Sequence, residues 1–380
     1  MTTQTITAQS TTVSQRWLKW GQLALMLYFM LAAVSMVSDG FKWAVGSQAT
    51  VLFDFASHPV AGLMIGLIAT SLIQSSSTVT SIIVGLVAGG LPVSIAIPMI
   101  MGANIGTTLT NTLVSLGHAR CKVEFQRAFA CATVHDFFNL LAVAIFLPLE
   151  MMFGLMDKLS AWMVTPLVGT GNMSMKGLDF MKPIIGPMVN TVKAPLESLG
   201  TMGGVALALI GVALIVVSIT RMGKLMKSLM VGRAREILKS AIGRGPLHGI
   251  ASGSIVTVLV QSSSTTTSLV VPLVGTGVLK VRDVYPFNVG ANIGTCITAL
   301  LAATAITGET AAFALQIALV HLIFNVLATL FIFGVPALRE LPMKGAEFLG
   351  DMAAKTKWAI AGYIGLVFLL LPGLVLLVTM

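Results

Sequence analysis

Two identical polar pentapeptides interrupt strongly apolar stretches of this chain. The sequence Gln-Ser-Ser-Ser-Thr occupies Gln74–Thr78 and again Gln261–Thr265. Each copy offers hydroxyl groups that donate and accept hydrogen bonds, a side-chain amide and, where a helix begins, free backbone N–H groups, a set suited to an oxyanion or a small cation. The alternative is hydrogen bonding between helices, which serine and threonine often mediate in membranes. Because the motif is duplicated with its glutamine intact, we favour a binding site.

A second motif, Gly-Ala-Asn-Ile-Gly-Thr, follows each serine motif at nearly the same distance. Its copies are Gly102–Thr107 and Gly290–Thr295, and Pro98 and Pro286 precede them. Glycines and a proline around an asparagine in mid-span favour an unwound helix. Such a break exposes carbonyl oxygens to a cation and a helix N-terminus to an anion. The alternative is a glycine-rich packing face.

The third motif pairs a histidine with an asparagine four residues later, on the same helical face. The pairs are His135 with Asn139 and His321 with Asn325. A histidine within a span is most often a structural hydrogen-bond donor, so we leave both histidines out of the predicted ligand set.

Asp136 breaks the correspondence between the two copies, because Leu322 stands in its place in the second copy. A carboxylate within a membrane span is costly, and its first interpretation is a functional one. We therefore expect Asp136 to serve a coupling cation. The alternative is a structural partner for an arginine on another helix.

The three motif pairs come in the same order and lie within one residue of a common offset, which indicates an ancient duplication. Of the 380 residues 56% are hydrophobic and 10% are charged, and the mean hydropathy is +0.93. This composition excludes an ordinary soluble protein. Seven apolar segments are long enough to cross a hydrocarbon core of roughly 30 Å. They are 17–38, 93–116, 128–150, 201–219, 284–305, 310–335 and 357–378.

Neither the charge nor the cysteine content indicates a soluble partner. The net charge of +9 lies largely in short connections between apolar segments, where basic residues orient a membrane protein, so we assign it to topology and expect no nucleic-acid partner. The three cysteines, Cys121, Cys131 and Cys296, imply neither a disulfide framework nor a metal site.

Equivalent connections in the two copies carry opposite charge patterns. Residues 117–127, after the first glycine motif, contain three basic residues, whereas residues 304–313 contain none. Residues 88–92, after the first serine motif, are uncharged, whereas Lys280 and Arg282 follow the second one. Because basic connections stay in the cytoplasm, equivalent connections face opposite sides, which is typical of inverted repeats in secondary transporters.

The segments around the serine motifs are too long for a single crossing. Residues 59–90 would span about 48 Å as one helix, well beyond the hydrocarbon core. We therefore predict that this segment and its counterpart, 246–277, fold back at their serine motifs as re-entrant hairpins. The hairpins are expected to enter from opposite faces and to meet near the middle.

The predicted fold is an all-α polytopic membrane protein of two inverted repeats, each with a re-entrant helical hairpin and a broken transmembrane helix. A cytoplasmic N-terminal segment precedes the repeats, an extracytoplasmic linker joins them, and an amphipathic segment with the last span follows them. The predicted boundaries are 1–16 for the N-terminal segment, 17–150 for repeat 1, 151–200 for the linker, 201–336 for repeat 2 and 337–380 for the C-terminal part.

At this point the residues resemble the type II sodium-dependent phosphate cotransporter family. Both Gln-Ser-Ser-Ser and Asn-Ile-Gly-Thr are present twice, and residues 124–139 (EFQRAFACATVHDFFN) also resemble the first repeat of that family. The resemblance covers roughly 59–149 and 246–335. It implies Na⁺-driven symport of inorganic phosphate into the cell by alternating access, in a multi-pass protein of the inner (plasma) membrane. The lack of a cysteine-bearing insertion in the linker is expected of a compact bacterial form.

The resemblance also implies ligands, with Na⁺ as coupling ion and no other cofactor. None of the motifs contains Lys or Arg, and a buried oxyanion needs compensating charge, which bound Na⁺ supplies. An Asp in the third motif of electrogenic members is tied to an additional Na⁺, and Asp136 matches it, so we expect electrogenic transport. The expected phosphate ligands are Gln74, Ser75, Ser76, Ser77, Gln261, Ser262, Ser263 and Ser264. The expected sodium ligands are Ser77, Thr78, Asn104, Thr107, Asp136, Asn139, Ser264, Thr265, Asn292, Thr295 and Asn325.

Other functions stay open from the residues alone. A carrier for another small oxyanion would use the same donors. Paired re-entrant loops with asparagine motifs also build pores, so an anion channel is a further candidate. Na⁺-dependent accumulation against a gradient would distinguish a carrier from a channel, because a passive pore cannot accumulate its substrate. Hydrolysis by a serine and a histidine from different spans is disfavoured, because both repeats keep both residues and no nucleophile elbow occurs. We therefore expect no enzymatic activity.

Overall fold

The computed structural model describes residues 13–46, 58–168, 181–241 and 244–379, and within those ranges every regular element is helical. The helices are α1 Val13–Val45, α2 Pro59–Ile73, α3 Ser76–Ala88, α4 Val93–Gly106, α5 Leu109–Ser115, α6 Lys122–Phe153, α7 Leu155–Val168, α8 Met181–Lys193, α9 Thr201–Ala241, α10 Pro246–Val260, α11 Ser263–Ser268, α12 Val271–Gly275, α13 Val281–Ala303, α14 Ala311–Ala328, α15 Pro336–Lys355, α16 Lys357–Gly365 and α17 Leu371–Thr379. Short 3-10 or π-helical turns extend four of them, at Leu116–His118, Ala194–Leu199, Thr329–Phe333 and Leu366–Leu370. Of the predicted N-terminal segment and linker, residues 1–12 and 169–180 lie outside the described residues.

All seven predicted spans are confirmed as helices long and apolar enough to cross a membrane. An uncharged run of about 20 apolar residues can cross the hydrocarbon core as a helix. A helix is favoured there because its backbone N–H and C=O groups form hydrogen bonds with one another. The seven are Trp17–Val45, Val93–His118, Lys122–Phe153, Thr201–Leu229, Val281–Ala303, Ala311–Phe333 and Trp358–Val378.

Both serine motifs form sharp turns between two helices, as predicted. In the second, α10 and the helical segment Ser263–Gly275 are bent by 119°. The turn is built the same way in both copies: Gln74 and Gln261 adopt left-handed backbone angles, with φ of 56° at each. The serine after each glutamine is extended and caps the next helix. Because the dihedral angles agree, the first hairpin, α2–α3, folds back as the second one does.

Glycines let each hairpin lie directly against the helix that follows it. A Cβ atom placed on Gly102 of α4 would lie 1.9 Å from the carbonyl oxygen of Leu63 in α2. One placed on Gly290 of α13 would lie 2.0 Å from the carbonyl oxygen of Ile250 in α10. No side chain fits at such distances, so the glycines of the second motif serve backbone-to-backbone packing in both repeats.

The predicted unwinding at the glycine motifs is wrong for the second copy, and in the first copy the helix is interrupted only at the last residue of the motif. Gly290–Thr295 lies inside the continuous helix α13, and Gly102–Gly106 is helical to the end of α4. The only interruption in the first copy falls at Thr107 and Thr108, whose backbone angles remain helical. Glycine weakens a helix in isolation, but here the contact with the hairpin holds the helix intact, so the packing alternative describes these motifs.

The first helices of the two repeats run in opposite directions. Close contacts between α1 and α9 join Ala44 to Gly204, Gly40 to Ala208, and Ala33 to Gly211. Residue numbers fall along α1 as they rise along α9, so the two helices are antiparallel. This arrangement supports the predicted inversion.

The connections after the hairpins support it as well. The turn after the first hairpin, around Pro92, shares a cavity with Thr310, which precedes α14, and with Asp157, just beyond the C-terminal end of α6. The turn after the second hairpin lies at the opposite end, where Gly277 approaches the guanidinium of Arg127 at the start of α6. Equivalent turns therefore lie at opposite ends of the molecule, as the charge patterns predict.

Each repeat contacts the other through the helix that follows it. The helix that follows α6, α7, packs on α14, and Gln316 Nε2 donates a 2.8 Å hydrogen bond to Asp157 Oδ1. The helix that follows α14, α15, packs on α6, where Gln126 donates a hydrogen bond to Asp351. This exchange locks the two repeats into one body around a shared apolar core.

Candidate functional site

The tips of the two hairpins line one cavity of about 320 Å³. This volume lies at the small end of the range for ligand sites. One wall is formed by part of α9, between Ile219 and Lys227. That part of α9 leads into the basic connection that the charge pattern assigns to the cytoplasm, so the charge pattern predicts that the cavity opens towards the cytoplasm. The predicted residues on its surface are Gln74, Ser75, Ser76, Ser77, Gln261, Ser262, Ser263, Ser264 and Thr265.

The first serine of each motif is occupied by the turn itself. Ser75 Oγ accepts hydrogen bonds from Thr78 N at 3.2 Å and from Thr78 Oγ1 at 2.8 Å. Ser262 Oγ accepts from Thr265 N at 3.2 Å. These serines are helix N-caps, which satisfy one of the free N–H groups at a helix start. Their main role is therefore to hold the hairpin tip in shape.

The next two serines of each motif are free to bind a ligand. The hydroxyls of Ser76, Ser77, Ser263 and Ser264 form no hydrogen bond within the described part of the chain, and all four residues line the cavity. A hydroxyl can donate to an oxyanion or offer its oxygen to a cation. Of the backbone N–H groups in the first turn of α3, that of Thr78 is capped by Ser75, and those of Ser76 and Ser77 have no partner within the helix.

Both glutamines hold an unfavourable backbone conformation. Among the described residues, Gln74 and Gln261 are the only ones other than glycine with positive φ. Such a conformation costs about 1–3 kcal/mol without glycine, and this strain is often found at functional sites. The side chains differ: Gln261 donates to Val258 O at 2.7 Å and accepts from Thr298 Oγ1 at 3.2 Å, whereas Gln74 is exposed to the cavity.

Two lysines on the cavity wall were missed by the sequence analysis. Lys224 and Lys227 lie three residues apart on one face of α9 and line the cavity together with the serine motifs. The sequence signal was present, since both belong to the basic run before the second hairpin, but the whole run was assigned to topology. The sequence alone does not show which lysines of that run face a cavity.

The asparagines of the second and third motifs form a separate, buried network. His135 Nε2 pairs with Asn292 Oδ1. Asn292 Nδ2 donates to Asn139 Oδ1 at 2.8 Å, and Asn139 Nδ2 donates to Asn104 O at 2.8 Å. The network joins α6 and α4 of repeat 1 to α13 of repeat 2. Three predicted sodium ligands are thus brought together, away from the cavity that the serine motifs line.

The equivalent groups of the other half do not form this network. Neither ring nitrogen of His321 has a hydrogen-bond partner among the described residues. Asn325 Nδ2 donates to His321 O at 2.9 Å, within its own helix. The hydroxyls of Thr107 and Thr295 also donate within their own helices, to carbonyl oxygens four residues earlier. These three predicted sodium ligands are therefore dispersed in this conformation.

Asp136 is fully buried and meets a residue outside the repeats. Its Oδ2 accepts a 2.6 Å hydrogen bond from the hydroxyl of Tyr363, in the last span. Its Oδ1 has no hydrogen-bond partner of good geometry among the described residues, although the hydroxyl of Thr108 lies beside the carboxylate. No arginine pairs with it in the ranges that the structure describes. Tyr363 carries no sequence signal that would have linked it to Asp136.

Comparison with known proteins identifies the family. The family model described as Na⁺/Pi-cotransporter matches residues 29–182 and 214–340. The chain belongs to this family. The two matched segments fall on the two repeats and include both hairpins, so the resemblance drawn from the motifs is confirmed. Membership and the seven apolar helices together make the chain a multi-pass membrane protein.

Curated relatives extend the match over nearly the whole chain. It is 33% identical to sodium-dependent phosphate transport protein 2A of Rattus norvegicus, over 93% of this chain and 66% of the relative. The same protein of Mus musculus is 33% identical, over 97% and 69%. Sodium-dependent phosphate transport protein 2B of Homo sapiens is 31% identical, over 93% and 64%. The chain thus spans about two thirds of the length of these relatives. No solved structure matches it.

Proposed function

We propose that this chain is a Na⁺-coupled symporter of inorganic phosphate in the plasma membrane. The observation that carries the proposal is the single cavity lined by both serine motifs, in a chain whose relatives are named as sodium-dependent phosphate transport proteins. A site shared by two inverted repeats near the middle of the membrane is typical of secondary transporters.

Phosphate binds between the hairpin tips in this proposal. An oxyanion needs hydrogen-bond donors, and the cavity offers the hydroxyls of Ser76, Ser77, Ser263 and Ser264, together with the amide of Gln74. Ser75 and Ser262 act indirectly, as the caps that hold each tip. Gln261, whose amide already bonds to Val258, supplies its part after a small rearrangement.

Sodium binds in two places in this proposal. At the tips, the oxygens of Ser77, Thr78, Ser264 and Thr265 are close to the phosphate site, where Na⁺ offsets its charge. Asp136 holds a further Na⁺, because a fully buried carboxylate whose polar side-chain neighbours among the described residues are the hydroxyls of Tyr363 and Thr108 is the strongest cation ligand in the region. This second sodium makes the cycle electrogenic.

The asparagine network supports an alternating-access mechanism. In the described conformation, Asn292 and Asn139 join the repeats, and their counterparts Asn104 and Asn325 do not. Inverted repeats alternate by exchanging such arrangements. In the opposite conformation, Asn104 pairs with Asn325 and His321, and the cavity opens to the outside. In this proposal the asparagines, Thr107 and Thr295 bind Na⁺ or join the two repeats, and their partners differ between the two conformations.

Hydrolysis finds no support in the geometry. The serine motifs line the cavity, whereas His135 is buried in the asparagine network and His321 on α14. Within the described residues, neither histidine lines the cavity with a serine. We therefore propose transport without an enzymatic step.

The test is uptake of radiolabelled phosphate by purified protein in liposomes. An inward Na⁺ gradient should drive accumulation above the external concentration, and a negative internal potential should increase it. Replacing Na⁺ with choline is the matched control. Equilibration without accumulation would identify a channel, and uptake of sulfate in place of phosphate would identify a carrier for another oxyanion. Accumulation that ignores the potential would keep the symporter but remove the second sodium from Asp136.

A further inference from the structure

The cavity at the hairpin tips carries positive charge that no motif supplies. Besides the serine motifs it is lined by Lys224 and Lys227, and no aspartate or glutamate lines it. Both lysines are exposed. The ion pairs within the described residues are His118 with Glu124, and Arg282 with Glu340, so neither lysine has a carboxylate partner there.

The two lysines differ from Arg221, a basic residue on the same part of α9, in what they face. Topology requires only that cations collect at the cytoplasmic end of α9. Arg221, on the same helix and also exposed, meets that requirement without lining the cavity. Thr220, Gly223, Lys224 and Lys227 form one continuous stripe along the cavity wall. Membrane topology alone therefore does not explain why Lys224 and Lys227 line the cavity.

We infer that Lys224 and Lys227 form a docking site for the phosphate oxyanion at the cytoplasmic mouth of the cavity, next to the serine motifs. This inference rests on the proposed function. Two like charges with no acidic neighbour raise the local concentration of an anion and lower its barrier to passing between the tips and the solvent. They also supply part of the positive charge that the motifs lack.

Lysine suits a docking site better than arginine would. Its ammonium is a strongly hydrated point charge on a flexible stem, whereas a guanidinium holds phosphate in a fixed bidentate geometry. A residue on the release path must attract the anion and then let it go. In the described conformation both lysines are exposed at the mouth of the cavity, so in this proposal it is the conformation in which the site exchanges phosphate with the cytoplasm.

The phosphate group of an anionic lipid has the same chemistry as the free ion, and the membrane surface is close. The two sources are separated by the lipid composition of the liposomes. In vesicles of pure phosphatidylcholine no net-anionic headgroup competes. If the lysines serve a lipid, their substitution has an effect only when phosphatidylglycerol is present.

The experiment compares the two faces of the transporter. Lys224→Gln, Lys227→Gln and the double variant are reconstituted in phosphatidylcholine, with Arg221→Gln as matched control, since it removes the same charge from the same helix outside the cavity. The half-saturating concentration of inorganic phosphate is measured for Na⁺-driven efflux through the cytoplasmic face and for uptake through the outer face. Labelling of the exposed Cys121 by an impermeant maleimide gives the orientation in the vesicles.

Each lysine substitution should raise the half-saturating phosphate at the cytoplasmic face about tenfold, since each removes one charge-assisted contact. The outer face should not change, which also shows that the variants are folded, and Lys224→Arg should keep most of the affinity. A double variant that behaves as Arg221→Gln at both faces overturns the inference. So does an effect confined to vesicles with phosphatidylglycerol. If the wild-type protein moves no phosphate, the proposed function itself is overturned. That failure is distinct from the failure of this inference, in which the wild-type protein transports phosphate and the lysine variants behave as the control does.

Discussion

The two repeats agree in their turns and differ in their polar contacts. Gln74 and Gln261 share the same left-handed backbone, and the glycine contacts beneath them have nearly the same lengths. Yet Asn139 of repeat 1 bonds to Asn292 of repeat 2, whereas Asn325, its counterpart, bonds only within its own repeat. The common features are those a hairpin needs in order to fold. In the proposed mechanism, the differences belong to one of the two conformations that the inverted repeats exchange.

A second difference lies in the charges. Repeat 1 alone carries a buried carboxylate, Asp136, and repeat 2 alone presents two lysines, Lys224 and Lys227, to the cavity. Neither feature has an equivalent in the other repeat, so a change of conformation that swaps the arrangements of the two repeats cannot transfer it. In the proposed transport cycle, the duplicated polar groups bind the substrate and its coupling ion in both halves, and the charges found in one half only make the two halves unequal.

The largest effect is expected where the repeats are most alike. Gly66→Ala and Gly253→Ala each place a Cβ 2.0 Å from a backbone carbonyl, of Met99 and Phe287. Overpacking against backbone cannot be relieved by a side-chain shift, so each should destabilise the fold by about 4 kcal/mol or more. The measurement is the yield and thermal melting of purified protein.

The matched control is Gly21→Ala in α1, where a Cβ meets no atom within 4 Å. It should melt at or slightly above the wild-type temperature, since alanine favours a helix. Normal folding of either Gly66→Ala or Gly253→Ala would show that the two hairpins do not share this contact.

The next effect concerns the carboxylate of repeat 1. Asp136→Asn should lower the charge moved per phosphate, because it removes the only acid of the third motif while keeping its size. The ratio of transport current to radiolabelled phosphate flux measures it. Leu322→Asn, at the equivalent position of repeat 2, should leave the ratio unchanged, and an unchanged ratio in Asp136→Asn would remove the proposed second sodium.

A smaller effect should separate the two asparagines of the third motif. Asn139→Ala loses two hydrogen bonds between helices, at 2.8 Å each, and should disfavour the described conformation by about 1–3 kcal/mol. Asn325→Ala loses only contacts to its own helix and to Cys296, and should disfavour it less.

The conformation is read from the cavity wall. Gly223→Cys, on a Cys121→Ser background, reports access to the cavity through its rate of labelling by a maleimide from the cytoplasmic side. The rate should fall in Asn139→Ala and stay near the wild-type rate in Asn325→Ala. Equal rates in both variants would mean that the network does not distinguish the repeats.

The smallest effect concerns the strained glutamines. Glycine relieves the positive φ, so Gln74→Gly should stabilise the fold by about 1 kcal/mol. Gln261→Gly should give almost no gain, because two side-chain hydrogen bonds are lost with it. Thermal melting compares the two, and uptake assays should show weaker phosphate transport in both. A variant that melts higher and transports normally would mean that the strain has no role in binding.

Much of the architecture was predictable because it depends on local properties of the chain. Apolar length determines the spans, and the excess length of 59–90 and 246–277 determines the hairpins. The glycine motif shows the limit of such reasoning. Glycine and proline lower helix stability locally, which favoured an unwound span, but the contact of Gly290 with the backbone at Ile250 keeps α13 continuous.

The sequence by itself determined the class of protein, the repeat and the polar residues that we propose to bind, since burial of polar groups in an apolar chain is costly wherever they fold. Only the tertiary structure decided which of them meet. It placed both serine motifs in one cavity, gave Asp136 the hydroxyl of Tyr363, and turned Lys224 and Lys227 towards the site. The physical reason is that these contacts join helices far apart in the chain, and their direction depends on how the helices cross and not on any local pattern.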